Sequence, residues 1–334
     1  MNKKIYFAAI CCMAMLAGCQ QAEEIVSPSE ELVMSVEASI EDTIDSRYAS
    51  NNVNGTPNSL KFDSGDNIGV FVGEKGVTKW TKSETGSWGA TPSPVYWPGK
   101  ESAGYDFYAF YPYSTEASEF SKKDVPMPSL AGQKGTIASL SACDFMVATA
   151  HSAYNTDNGK VSFTGETNCF KHVSSLVAIT ILKESDLVNS TVNYISFEAI
   201  DLASSRTYSF ENIQNPIKFT PTGVKSAIKS DELNLSMANE TTNKTLYFIL
   251  NSGINLSGVT FSLEYSTDGK NYTATKTGLG NGSFASGSRY NFNLNITDGV
   301  LAITGADIQD WGAGTNMGDI IINTPIESPN DEND

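Results

Sequence analysis

Between positions 32 and 41 the chain alternates residue by residue: Leu32, Met34, Val36, Ala38 and Ile40 share one side, and Val33, Ser35, Glu37, Ser39 and Glu41 the other. A period of two is that of a half-buried β-strand. The same style recurs along the chain. Short apolar or alternating runs at 68–72, 77–80, 95–97, 105–111, 145–148, 161–163, 176–182, 194–200, 207–210, 246–250, 259–265, 290–296, 300–303 and 307–311 are separated by turn signals. Phe62-Asp63-Ser64-Gly65-Asp66 and Asp157-Asn158-Gly159-Lys160 read as turns, and Thr267-Asp268-Gly269-Lys270 as a hairpin, because Asp-Gly supplies the positive φ angles of a type I′ turn. No helical period persists over a long window. The expectation is an all-β protein built of β-sandwiches.

The length of 334 residues allows two domains, each able to bury its own core. The boundary is expected between the turn at Gly159 and the strand starting at Leu176. That gives an N-terminal sandwich over 32–166, a C-terminal sandwich over 167–323, and an acidic tail over 324–334 whose composition cannot sustain a core. No repeat of solenoid or propeller period is visible.

The first residues carry Lys3 and Lys4 ahead of an apolar stretch at 5–16, too short for the ~20 residues that span a bilayer and of the form of a secretory signal. The run closes on Leu16-Ala17-Gly18-Cys19, which resembles the bacterial lipobox. Cleavage is then expected between Gly18 and Cys19, with lipid on Cys19 anchoring the chain to the outer membrane. Residues 19–31 read as an acidic tether, and Glu23, Glu24, Glu30 and Glu31 resemble the surface-export signal of Bacteroidetes lipoproteins. The net charge is −16, and loss of Lys3 and Lys4 with the signal leaves −18. Such a surface does not suit nucleic acid, whose phosphates call for Lys and Arg. Of five cysteines, Cys11 and Cys12 leave with the signal and Cys19 takes lipid. The remaining Cys143 and Cys169 either close a disulfide, worth on the order of 3 kcal/mol, or stay buried thiols.

Motifs for chemistry are missing. The two histidines, His151 and His172, have no zinc-ligand spacing. There is no Gly-x-Ser-x-Gly elbow, P-loop or dinucleotide fingerprint. Asp63 and Asp66 lack the remaining positions of a calcium loop. No enzyme activity, metal or cofactor is expected. Trp80, Trp88, Trp97 and the run from Tyr105 to Tyr113 either fill the core or stack on sugars. The second option would make the chain a cell-surface glycan-binding lipoprotein.

An ordered set of local motifs resembles the Bacteroidetes fimbrillin family, the subunits of type V pili. It comprises Phe62-Asp63-Ser64-Gly65-Asp66-Asn67-Ile68-Gly69-Val70-Phe71, Phe107-Tyr108-Ala109-Phe110-Tyr111-Pro112-Tyr113, Asp144-Phe145-Met146-Val147-Ala148, Phe170-Lys171-His172-Val173, Gly287-Ser288-Arg289-Tyr290-Asn291-Phe292 and Ile308-Gln309-Asp310-Trp311. Phe62 stands where that family more usually has Trp. The resemblance implies two tandem transthyretin-like β-sandwiches and export as a lipoprotein. It also implies cleavage after an Arg by an Arg-specific protease, loss of the first strand, and filling of the vacated groove by a strand of another fimbrial subunit. Arg occurs only at 47, 206 and 289. Arg47, followed by Tyr48, lies in a polar loop just past the first strand, a setting suited to proteolysis. Its alternative role is that of an ordinary loop residue. The strand removed would carry Leu32, Met34, Val36, Ala38 and Ile40. The donor is expected in the C-terminal segment, with Ile320, Ile321 and Ile322 as its apolar part, unless that run forms a strand of its own domain.

Overall fold

The computed structural model describes residues 32–41, 61–73, 76–182, 187, 189–238, 243–297, 300–310 and 314–317. Gly18, Cys19, Arg47, Tyr48 and Ile320–322 lie outside them. The fold is all-β. In the first half the strands are β1 (Ser35–Ala38), β2 (Asn67–Phe71), β3 (Val77–Lys82), β4 (Trp88–Thr91), β5 (Tyr105–Tyr111), β6 (Val125–Pro126), β7 (Met146–Ser152), β8 (Lys160–Phe163) and β9 (Lys171–His172). The second half supplies β10 (Ser175–Ile181), β11 (Thr191–Ile200), β12 (Thr207–Tyr208), β13 (Ile217–Lys218), β14 (Lys225–Lys229), β15 (Leu235–Ser236), β16 (Lys244–Leu250), β17 (Thr260–Thr267), β18 (Lys270–Thr277), β19 (Ser288–Thr297), β20 (Val300–Asp310) and β21 (Gly314–Met317). Among the described residues no helix is long and apolar enough to cross a membrane.

A six-stranded sheet of order β4-β3-β2-β5-β7-β9 organises the first half. Because side chains alternate across a strand, its two faces feed two clusters. Ile68, Val70, Phe107, Ala109, Met146 and Ala148 point into one. Phe71, Phe110 and Phe145 point into the other. The central strand β5 is therefore apolar on both faces, which explains the unbroken aromatic character of its sequence. The second face is covered by the small sheet β13-β12-β6, with Phe210 and Val125 packed against Phe71 and Phe110. The first face is covered by β1 and its neighbours, described below.

Two further sheets, β16-β10-β19-β20-β21 and β14-β11-β17-β18, share one core. Phe248, Val177, Ile179, Phe292 and Leu294 come from one sheet, and Ile195, Phe197, Phe261 and Leu263 from the other. The segment after β6 joins this core through Leu130 and Leu140. The Gln133 side chain, fully buried, donates to Ile249 O at 2.9 Å and accepts from Ile249 N–H at 2.7 Å. Gly135 O accepts from Tyr247 N–H at 3.0 Å. Together these close the outer edge of β16.

The expected hairpin is present: β17 and β18 pair directly, with Thr267 opposite Lys270 and φ of +51° at Asp268 and +77° at Gly269. The run at 207–210 contributes only the two residues of β12: the next residue, Ser209, donates to Pro216 O at 2.7 Å, but proline has no N–H to return and the ladder stops there. Cys143 and Cys169 are buried thiols, and the disulfide is not formed. Cys143 is enclosed in the second core, while Cys169 follows the short helical turn Gly165–Asn168 and donates to Glu166 O at 3.8 Å. Burial and the neighbouring Asp144 charge push the Cys143 thiol up, so it stays protonated and unreactive.

Asp106 and His151 face each other across β5 and β7. His151 Nδ1 lies 2.7 Å from Asp106 Oδ1, and Nε2 lies 2.8 Å from Ala103 O. The hydrogen bond to Asp106 raises the His151 pKa above its ordinary 6.5. A raised folded-state pKa means this pair stabilises the fold fully below pH 6.5, and that the contribution disappears as pH rises through the folded value. Stability curves between pH 5 and 9 therefore differ in shape for Asp106→Asn: the variant loses the decline on the alkaline side. Superimposable pH profiles would contradict this.

Candidate functional site: the first strand and the layer it completes

The alternation at 32–41 is realised in three dimensions. Leu32, Met34, Val36 and Ile40 are buried, Ala38 is half-buried against the same cluster, and Val33 is 55% exposed. The strand is held on both sides. Along one side Met34 N–H donates to Val95 O at 2.8 Å, and Trp97 N–H donates to Leu32 O at 2.8 Å. Along the other it runs parallel to β8, with Ser35 opposite Lys160 and Ala38 opposite Phe163. Ser35 N–H donates to Gly159 O, Ser39 N–H to Phe163 O, and Glu41 N–H to Phe170 O, each at 2.9 Å. The Glu37–Lys160 and Glu41–Lys171 ion pairs (2.8 and 3.8 Å) lie on the solvent side and add little stability.

Two neighbours of the strand are built for close approach. Gly159 has φ of +75°, and a Cβ there would meet Val33 O at 3.2 Å and the Tyr154 ring at 3.3 Å. Its carbonyl accepts both Ser35 N–H and the Trp97 indole N–H, the latter at 3.0 Å. Trp97 packs edge-on to Phe107, Tyr105 and Tyr154. The layer facing the six-stranded sheet thus consists of β1, β8, the segment at 95–97, and the rings of Phe62, Phe163 and Phe170. Removal of β1 would uncover the middle of this core. Sequence reasoning found β1 but not its partners. The strand-like pattern at 161–163 and the indole at 97 were the available signals, yet pairing across more than 60 positions leaves no local trace.

At the foot of β1, a cavity of about 250 Å³ borders Ile40, Phe62, Asp66, Tyr111, Asp144 and His172. His172 Nδ1 lies 2.9 Å from Asp144 Oδ1, both buried. Tyr111 OH donates to Asp66 at 3.1 Å, and Asp63 N–H donates to Asp66 Oδ2 at 2.7 Å. Burial raises the Asp66 pKa, and burial beside Asp66 raises that of Tyr111. Asp63 and Asp66 serve as the two ends of a β-turn, with Asp66 N–H donating to Asp63 O at 3.1 Å. Among the described residues no group of three or more His, Cys, Asp or Glu could hold a metal ion.

The aromatic residues weighed as sugar platforms belong to the core. Trp80, Trp88 and Trp97 are 2, 9 and 3% exposed, so the motivation for reading them as a glycan surface is gone. Of the three arginines, Arg206 is buried and Arg289 sits within β19.

A family model described as fimbrillin-like matches residues 49–311. Among solved structures, a candidate cell adhesion protein from Bacteroides ovatus superposes with a TM-score of 0.58 at 17% identity, covering 84% of this chain and 97% of that one. A second candidate cell adhesion protein, from Bacteroides uniformis, gives 0.52 at 17% identity, covering 84% and 100%. The tip fimbrial protein Mfa3 from Porphyromonas gingivalis gives 0.41 at 11% identity over 83% of this chain and 99% of that one. At these identities the first two likenesses speak for the fold. No curated protein matches the sequence.

Proposed function

Since the chain belongs to the fimbrillin-like family, whose members are structural fimbrial subunits rather than enzymes, we propose that it is exported as a lipoprotein and assembles with other fimbrial subunits by strand exchange. On this reading Cys19 carries the lipid that holds the precursor at the outer membrane, with signal cleavage after Gly18. An Arg-specific protease cuts between Arg47 and Tyr48. The strand bearing Leu32, Met34, Val36, Ala38 and Ile40 then leaves, and a strand of another subunit takes its place. Ile320, Ile321 and Ile322 are the apolar part of the outgoing donor. Maturation would transfer the subunit from the lipid anchor to the fimbrium at the cell surface.

The observation that supports this most is the placement of the first strand. It is N-terminal, its apolar face lies over the first core, and it is bonded on both sides by backbone pairs. A replacement strand would recover the same backbone bonds and fill the same alternate pockets. The other two arginines are poor protease targets, one buried and one within a sheet, so cleavage is directed to Arg47.

The test is digestion of purified residues 20–334 with an Arg-specific protease, followed by unboiled SDS gels and electron microscopy. Completed cleavage at Arg47 is expected to yield SDS-resistant multimers and filaments. Complete cleavage that leaves only monomers across protein concentration and temperature would overturn assembly of this chain with its own copies by strand exchange.

A further inference from the structure

The sheet β14-β11-β17-β18 ends at β18, and among the described residues no strand pairs with its outer side. We propose that this open edge joins a second copy of the chain, edge to edge and antiparallel about a two-fold axis.

The direction of each backbone group follows from the hairpin. Thr267 and Lys270 flank the two-residue turn and face each other. Such a flanking pair exchanges both hydrogen bonds, and bonded pairs then alternate with open ones along the ladder. The alternation holds past the end of the strand, where Gly278 N–H donates to Val259 O at 2.8 Å. The even-numbered residues of β18 are therefore spent on β17. Asn271, Thr273, Thr275 and Thr277 direct their N–H and C=O groups away from the sheet. Their side chains are exposed, whereas Ala274 and Lys276 are buried on the opposite face. Two of the hydroxyls lean back on β17, Thr277 Oγ1 at 3.2 Å from Thr260 Oγ1 and Thr275 Oγ1 at 3.4 Å from Ser262 Oγ, so they leave the backbone row uncovered.

An open row eight residues long is a template for another extended chain. The order of its residues selects a copy of itself. Let Thr273 stand opposite Thr275 of the second copy. Asn271 then meets Thr277, all four outward residues of each chain are paired, and Ala274 meets its counterpart on the axis. A slide of two residues either way leaves one outward residue of each chain unmatched. In the full register Lys276 faces Tyr272 of the second copy. That ring is stacked on Tyr265 at 5.4 Å, and an ammonium group is attracted to an aromatic face. Two copies of Lys276 meet head-on only after a slide of four residues. Charge agrees with this choice. The whole chain has 38 acids against 22 Lys and Arg, yet β18 carries Lys270 and Lys276 and no acid. Glu264, opposite Thr273 on β17, is already held by Lys229 at 2.7 Å. One strand pair buries far less than the ~1,200–2,000 Å² of stable interfaces. The contact is accordingly weak and suits molecules already crowded side by side.

The test is sedimentation velocity of purified residues 20–334 with Arg47 uncut, so that exchange of the first strand plays no part. A dimer is expected as the concentration reaches the order of 100 μM. Thr275→Pro removes an outward N–H and puts a ring in the gap. An edge position whose N–H faces solvent tolerates proline, so the fold should persist while self-association weakens at least ~10-fold. A chain with Thr273→Lys and Thr275→Lys, and one with Thr273→Glu and Thr275→Glu, change exposed side chains only. Each alone should stay monomeric, and an equimolar mixture should form the heterodimer. This charge pair carries the test alone if the proline variant folds poorly. Mixed Thr273→Cys and Thr275→Cys chains should become disulfide-linked faster than either chain by itself, because the two positions lie directly opposite. A parent chain that stays monomeric, a folded Thr275→Pro variant that dimerises like the parent, or a charge-swapped mixture without heterodimer would each overturn the proposal. Faster linking of either cysteine chain to itself would overturn the register.

Discussion

A chain beginning at Tyr48 will not persist as a stable folded monomer. It lacks Leu32, Met34, Val36 and Ile40, all below 9% exposure in the complete chain. At about 1.5–3 kcal/mol for each large buried side chain, the loss sums to roughly 6–12 kcal/mol, an upper estimate because unfolded chains already bury some surface. Whole-domain stabilities are about 5–15 kcal/mol, so the deficit is comparable with everything that holds the domain together. The shortened chain should self-associate on gel filtration, bind apolar dyes and unfold at much lower urea concentration. Addition of a peptide spanning 31–41 should reverse all three effects. The same peptide with Met34→Asp and Val36→Asp should not, because each carboxylate would enter an apolar cluster without a partner. If the shortened chain matched the full one within 1 kcal/mol or so, the strand would be dispensable and strand exchange at this groove would lose its driving force.

The second large effect is expected at Trp97. Trp97→Ala should cost about 3–5 kcal/mol, read as a shift of the urea midpoint at constant slope. The indole is 3% exposed, meets three rings, and donates to Gly159 O. Trp97→Phe keeps a ring but loses the donor, for about 1 kcal/mol from the hydrogen bond. Gly159 O retains Ser35 N–H as a partner, which limits that loss. Because the indole shares the Gly159 O acceptor with Ser35 N–H and lies in the same cluster as Val36, the cost of Trp97→Ala should shrink when the first strand is absent. A double-mutant cycle with Val36→Ala measures this coupling. Strict additivity would show that the indole supports its own sheet and not the strand.

Strands with one dry face and one wet face were readable from sequence. β1 and β19 announce themselves because every second residue is apolar, β11 by the alternation from Ile195 to Ala199, and the β17–β18 turn because Asp-Gly readily takes its positive φ angles. The edge strands β14 and β18 were not. In β14 only Ile228 is buried, and in β18 only Ala274 and Lys276 are, so neither carries an alternation strong enough to see. The region at 118–142 reads as a loop because of its prolines and glycines, yet it supplies Leu130, Leu140 and Gln133 to the second core. The first strand of the candidate site was legible, whereas its bonding partners at 95–97 and 159–163 depend on contacts far apart in sequence. Arg206 gave no local signal at all. A buried guanidinium differs from a surface one only through what surrounds it in space.

The closed edge of β16 bears on how many others such a molecule can join. Backbone amides left open along a sheet are an invitation to any passing extended chain. Gln133 answers that invitation from within, its amide standing where a neighbouring peptide group would be. β14 guards its own border with Lys225 and Lys229. Along these two borders a second chain finds no free row of backbone groups to pair with side by side. In that sense the glutamine acts as a stopper, and Gln133→Ala, which frees Ile249 N–H and O, should make the protein more prone to lateral aggregation.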